Sequence, residues 1–129
     1  MTPSEAVDAV AAEAVDRDLV VGPVVMEGSR VVIYLSAAHR SGRTAVIETD
    51  GAERLSLLLD DFRCPGFAYE AGAQSGELRD LVALAAMHLF GHTKMTRRAR
   101  SWPRRDAAAL ELTWQGTSYL LTSQGRDPR

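Results

Sequence analysis

The sequence contains a single cysteine, Cys64, so no disulfide can form within the chain. No second cysteine is present to make a redox pair with it, and we expect a half-buried structural thiol in a turn. The residues after Met1 do not form the charged and apolar regions of a secretory leader. Together these features predict a protein of the reducing cytoplasm.

Long apolar runs and catalytic motifs are also missing. No stretch approaches the roughly 18 uninterrupted apolar residues of a membrane-spanning helix, so we expect no membrane segment. The sequence has no glycine-rich phosphate-binding loop and no serine in a nucleophile-elbow context. We therefore expect no cofactor. The sequence favours a non-enzymatic protein, with an active site assembled from distant residues as an open alternative.

Length and composition are typical of one compact domain. Hydrophobic residues make up 46% and charged residues 25% of the 129-residue chain, which are ordinary globular values. A chain of this length buries roughly two-thirds of its unfolded surface around one core. Residues 1–122 are predicted to form a single α+β domain. The segment 123–129 has no apolar residue to anchor it and is predicted to be a flexible C-terminal tail.

Two helices are indicated, one before and one after a block of strand patterns. The opening residues Thr2-Pro3-Ser4-Glu5 form a capping-box pattern, and apolar residues then recur at three- and four-residue spacing until about Asp18. The second helix should begin at Ser75 or Gly76 and run to Phe90. It is apolar on nearly every side, which is typical of a covered central helix. Gly91 can end or bend it.

Several segments have strand patterns. Two β-branched runs, 19–26 and 31–35, predict a hairpin, and Pro23 requires its strand to lie at a sheet edge or to carry a bulge. The segment 44–49 predicts a third strand, and the alternating leucines of 55–59 favour a fourth strand over a short helix. At the C-terminal end, a turn at Gln115-Gly116 pairs Trp114 with Thr117 in another hairpin.

These elements predict an α+β fold in which an antiparallel sheet of five to six strands packs against two helices, in the order α-β-β-β-(β)-α-β-β. This order resembles that of small secretion-chaperone-like domains. The resemblance is one of fold, and it implies binding to a partner protein.

Positive charge is concentrated in one segment. Residues 1–91 hold seven arginines and fourteen acidic residues, whereas residues 92–105 hold six basic residues and no acid. If the helix continued through Ser101, the first three basic residues would cluster on one side. The predicted partner-binding residues are the six basic residues and a nearby tryptophan: Lys94, Arg97, Arg98, Arg100, Trp102, Arg104 and Arg105.

A localised basic segment can dock an acidic protein surface, neutralise the phosphates of a nucleic acid, or remain a solvated face that balances an acidic domain. The acidic remainder of the chain weighs against nucleic acid. We therefore predict a small protein-interaction domain of the chaperone, adaptor or immunity type that binds an acidic partner surface. Nucleic-acid binding through the same arginines is the alternative, and a homo-oligomer is compatible with either.

His88 and His92 give a third hypothesis, a metal site. Two histidines four residues apart share one face of a helix, as they do in many zinc sites. The glutamate that follows the first histidine of a zinc-peptidase helix is absent, and a third ligand would have to come from His39, Cys64, Asp60 or Asp61. The favoured interpretation is that both histidines lie at the edge of the core near a helix end. Asp60 and Asp61 are interpreted as a solvated strand end.

Overall fold

The computed structural model describes residues 2–38, 42–50, 55–60, 62–64, 74–99 and 106–122. The predicted α+β class, with two helices and antiparallel strands, is confirmed. Within these ranges the elements are α1 (Pro3–Asp16), β1 (Leu19–Glu27), β2 (Arg30–Ala37), β3 (Ala45–Thr49), β4 (Leu55–Leu59), β5 (Phe62–Cys64), α2 (Gln74–Leu89), β6 (Lys94–Ala99), β7 (Asp106–Trp114) and β8 (Thr117–Thr122).

The described strands form two antiparallel sheets. Sheet A has the order β1-β2-β3-β4-β5, and sheet B has the order β6-β7-β8. The structure thus adds two strands, β5 and β6, to the six that the sequence predicts, and divides them between two sheets. With three residues, β5 is too short for a period of two to stand out. Strand β6 is mostly polar, so apolar alternation does not mark it.

Strand β6 also corrects the expected clustering of the basic residues. A helix continuing through Ser101 would have placed Lys94, Arg97 and Arg98 on one side. The chain is instead extended from Lys94 to Ala99 and pairs with β7. Successive positions on a strand alternate between the two faces of the sheet. Strand positions 97 and 98 therefore belong to opposite faces of sheet B.

Helix α1 begins with the predicted capping box. The Thr2 hydroxyl accepts a hydrogen bond from the Glu5 amide at 3.1 Å, and the Glu5 carboxylate accepts one from the Thr2 amide at 2.8 Å. Both donors would otherwise lack an intrahelical partner. The apolar face of α1 buries Ala6, Val10 and Ala14 against the core.

Both expectations for Pro23 are met in β1. The strand lies at the edge of sheet A, and its pairing with β2 shifts register between Val21 and Val24. A bulge and an edge position both tolerate the missing amide donor of proline.

The core lies between sheet A, the two helices and one face of sheet B. Alternation in β4 directs Leu55, Leu57 and Leu59 to this core, while Leu58 belongs to the opposite face and is half-buried. Residues from both helices and both sheets belong to one buried apolar cluster. No helix in the described part of the chain is long and apolar enough to cross a membrane.

The C-terminal hairpin has the predicted register. Trp114 pairs with Thr117, Leu112 with Tyr119, and Leu110 with Leu121. The three leucines are buried and connect sheet B to the common core, while Tyr119 is 40% exposed. The predicted tail, 123–129, lies outside the described residues, so the domain boundary at 122 stays a prediction.

The two faces of β4 can be tested with adjacent leucines. Leu57 is fully buried, so Leu57→Ala should lower the free energy of unfolding by about 2–5 kcal/mol through lost contacts and a cavity. The matched variant Leu58→Ala should cost clearly less, because Leu58 is only half-buried. Urea denaturation measures both. Equal losses would mean that the faces of β4 are assigned wrongly.

Candidate functional site

A buried histidine forms the centre of a hydrogen-bonded cluster at the end of α2. His88 is the residue before the last of the helix, and its side chain is completely buried. Its Nε2 atom lies 3.0 Å from Asp60 Oδ2, and its Nδ1 atom lies 2.8 Å from Thr93 Oγ1. The ring therefore connects α2 to the residue after β4 and to the residue before β6.

Arg43, just before β3, completes this cluster from the other side. Its Nη1 atom lies 2.7 Å from Thr93 Oγ1 and 3.1 Å from the backbone oxygen of His88, and it donates to both. It also lies 3.4 Å from the Thr93 carbonyl oxygen. A cation at a helix C-terminus satisfies carbonyl groups that have no intrahelical partner and is favoured by the helix dipole.

Both carboxylate oxygens of Asp60 have hydrogen-bond partners. Its Oδ1 atom accepts from the Thr44 amide at 2.7 Å and lies 3.2 Å from the Thr44 hydroxyl, while Oδ2 faces the histidine. Its backbone, at φ +55°, donates an amide hydrogen bond to the Thr44 carbonyl at 2.9 Å. The expected solvated strand end is therefore wrong for Asp60. Its side chain is 23% exposed and links β3, β4 and α2. Asp61 lies outside the described residues.

For a neutral imidazole, one arrangement of protons satisfies every partner of His88. A carboxylate only accepts, so Nε2 carries the proton and donates to Asp60. Nδ1 then accepts from the Thr93 hydroxyl, whose oxygen accepts from Arg43. Burial lowers the pKa of His88, and the Arg43 charge also lowers it, while Asp60 opposes the shift. The result is a neutral imidazole with both nitrogens engaged.

The cluster resembles a carboxylate–histidine–hydroxyl relay in composition, but it is closed to a substrate. His88 is completely buried and Thr93 is 6% exposed. The Thr93 oxygen already accepts from Arg43, and its hydrogen is directed to the ring. We interpret the cluster as a structural junction between four chain segments.

The two histidines are not arranged as the metal hypothesis requires. The helix ends at Leu89, and the chain then turns at Gly91, whose φ of +84° favours glycine. The Gly91 amide donates to the His88 carbonyl and the His92 amide to the Met87 carbonyl, which is a Schellman motif. His92 is exposed beyond this turn. Within the described ranges, no three His, Cys, Asp or Glu residues are grouped to hold a metal ion.

Cys64 lies in β5 and not in a turn. Its side chain is buried, and burial raises the pKa of the thiol to about 11. A thiol in this environment stays protonated and unreactive.

A cleft of about 620 Å³ opens beside the histidine cluster, between the end of α2 and sheet B. Four apolar or aromatic residues alternate with polar and charged ones around it: Met87, His92, Lys94, Glu111, Leu112, Thr113, Ser118, Tyr119 and Leu120. Tyr119 is 40% and Leu120 47% exposed. His92, Lys94 and Glu111 are exposed as well, so the cleft combines accessible apolar surface with charged groups of both signs.

Only part of the predicted basic segment can be placed. Lys94 lines the cleft and is paired in register with Glu111 of β7. Arg97 and Arg98 lie on β6, but their side chains are outside the described part of the structure. The remaining predicted partner-binding residues, Arg100, Trp102, Arg104 and Arg105, lie outside the described residues.

Two residues of the histidine cluster, Arg43 and Thr93, were not identified as candidates from the sequence. Neither belongs to a recognisable motif, and the Arg43–Thr93 contact joins residues 50 positions apart. The cleft residues Leu112 and Tyr119 are side by side on sheet B in the predicted hairpin register, but α2 had to be positioned before a cleft appeared.

Comparison with known proteins gives no family to which the chain can be assigned. No protein-family model, no curated protein and no solved structure matches it. Function is therefore inferred from the cluster, the cleft and β6 alone.

The buried histidine predicts acid sensitivity. The folded-state pKa of His88 lies below its ordinary value of 6.5. As pH falls below about 6.5, the unfolded chain binds a proton that the folded protein does not, so the free energy of unfolding should fall. The loss should level off below the folded-state pKa, and His88 should add no slope well above pH 6.5.

Two measurements test this. An NMR titration of the His88 ring in the folded protein should give a midpoint below 6.5, and a midpoint at or above 6.5 would contradict the proton arrangement. Urea denaturation across a pH series should show the loss of stability in the wild type. It should persist in His92→Gln, the matched control, because His92 is exposed.

Arg43 should contribute to stability through its charged hydrogen bonds. Arg43→Met keeps much of the side-chain length but leaves the Thr93 hydroxyl without its donor and removes one from the His88 carbonyl. We expect the free energy of unfolding to fall by roughly 1.5–3 kcal/mol in urea denaturation. Arg63→Met, at an exposed position of β5, should change it by about 0.5 kcal/mol or less. Similar losses of unfolding free energy in the two variants would contradict a stabilising role for Arg43.

Proposed function

We propose that this chain is a small non-enzymatic protein-interaction domain, of the chaperone, adaptor or immunity type, that binds an acidic partner surface through the cleft and the basic segment beside it. The observation that carries the proposal is the cleft itself. Its accessible apolar surface meets the first basic residue of β6, so a partner is offered both apolar contact and positive charge.

An acidic partner is favoured by charge. Lys94 makes no ion pair with another described residue, although Glu111 is its cross-strand neighbour. The segment that starts at Lys94 contains six basic residues and no acid through residue 105. Complementary charge accelerates encounter and disfavours partners of the wrong sign.

A protein is favoured over a nucleic acid by the apolar part of the cleft. Tyr119 and Leu120 are both about half exposed, with Met87 beside them. Tyrosine and methionine are enriched where protein interfaces are fully buried. A nucleic acid would contact the basic residues through its phosphates but would leave this apolar surface exposed to water. A cytoplasmic location is part of the proposal, supported by the one buried, unpaired cysteine.

The proposal is tested with a partner captured from source cells by photo-crosslinking from position 119. The purified partner's affinity is then measured for three variants. Lys94→Glu should weaken binding by at least about tenfold, because it replaces attraction with repulsion. Tyr119→Ala should weaken it about fivefold or more. Arg63→Glu, which reverses an exposed charge on sheet A, should leave the affinity within about twofold.

Nuclease treatment separates the two partner classes. Capture that survives nuclease and depends on Lys94 supports the protein-interaction domain. Capture of nucleic acid alone, with an affinity that falls steeply with salt, would replace it with the nucleic-acid alternative. An affinity unchanged by Lys94→Glu would remove the basic segment from the binding surface.

A further inference from the structure

The position and charge of β6 indicate what form the partner takes. We propose that the bound segment of the partner is an extended acidic strand that pairs with the outer edge of β6 and becomes a fourth strand of sheet B. This inference rests on the proposed function and specifies the partner's conformation.

The first support is the free edge of β6. Among the described strands β6 pairs with β7 alone, and it ends the order β6-β7-β8. Strand β8, at the other end of the sheet, lies beside β5. Alternate residues of β6 therefore present backbone amides and carbonyls that no described strand occupies. An extended peptide binds such an edge through main-chain hydrogen bonds.

The second support is the spacing of the basic residues along β6. Alternation assigns positions 94 and 98 to one face of sheet B and position 97 to the other. A flat acidic surface packed on one face would cover only some of these positions. A strand added alongside β6 has positions next to both faces, so acidic residues on it can be placed opposite positions 94, 97 and 98.

The same charges argue against a second copy at this edge. Pairing two β6 strands would bring Lys and Arg residues of one chain beside those of the other, and like charges across a strand pair are destabilising. Charged edge strands commonly prevent self-association in this way. An acidic strand replaces this repulsion with attraction, and its main chain forms hydrogen bonds with the backbone groups at the outer edge of β6.

The third support is the cleft at the start of β6. Lys94 is both the first residue of the strand and part of the cleft lining. An extended segment that runs along β6 reaches the cleft at this end. A residue of the partner that extends past the paired strand can place one apolar side chain in the cleft, where Tyr119 and Leu120 are about half exposed. The expected partner motif is therefore an extended acidic run with an apolar residue at one end.

The test uses a capped ten-residue peptide of Glu, Thr and Val with Glu on both strand faces and one terminal Leu. A second peptide of the same sequence carries an N-methyl group on every residue. Successive amides of a strand face opposite edges, so this peptide has lost the amide donors of both edges. We expect it to bind at least about tenfold more weakly than the parent peptide. Calorimetric titration measures both peptides.

The outcomes separate this inference from the proposed function. Equal binding by the parent and the fully methylated peptide would overturn strand addition, and so would failure of the parent peptide to bind. If Lys94→Glu still weakened binding of the captured partner, the protein-interaction domain would stand without strand addition. If Lys94→Glu left both the peptide and the partner unaffected, both proposals would fall.

Amide hydrogen exchange identifies the edge that the peptide uses. Binding of the parent peptide should slow exchange at the amides of β6, within positions 94–99, that do not pair with β7, and leave β1 unchanged. Strand β1 is the matched alternative, because it is also an edge strand and exposes Val24, Val25 and Met26. Protection gained at β1 with none at β6 would assign the peptide to the wrong edge and contradict the proposal.

Discussion

The hydrogen bonds of the buried His88 ring determine how the two halves of this protein meet. The Nε2 atom of the ring is hydrogen-bonded to Asp60 and the Nδ1 atom to Thr93. Arg43 connects Thr93 to the helix end. Buried polar groups are costly unless all are satisfied, and here one proton arrangement satisfies them together. The end of α2, the start of β3 and the start of β6 are thereby held in fixed relation.

The position of the proposed binding surface follows from that junction. The Schellman turn at Gly91 ends α2, and Thr93 is held one residue before β6 begins. The direction in which the basic segment leaves the core is therefore set by buried groups, and the cleft forms between the helix end and sheet B. Strand β6 lies at the edge of sheet B among the described strands, and its first two residues, Lys94 and Met95, are exposed.

Local sequence patterns predicted the parts of the fold that depend on residues close together in the sequence. The capping box at Thr2, the edge and bulge at Pro23 and the pairing of Trp114 with Thr117 all follow from residues a few positions apart. Strand β6 could not be predicted in this way, because its identity comes from pairing with β7 and not from its own alternation. The contact between Arg43 and His88 joins residues 45 positions apart, and nothing local marks either as a partner. The basic segment was identified from charge alone, but only the strand geometry assigns positions 97 and 98 to opposite faces of a sheet.

The central claim is that the His88 junction holds β6 in place. The most direct measurement is residue-resolved amide exchange in Thr93→Val, which keeps the side-chain shape and removes the hydroxyl between His88 and Arg43. We expect exchange to accelerate in the β6–β7 ladder, from the pairing of Lys94 with Glu111 to that of Ala99 with Asp106, while the β2–β3 ladder keeps its protection. Unchanged protection of β6, or an equal loss throughout both sheets, would contradict the claim.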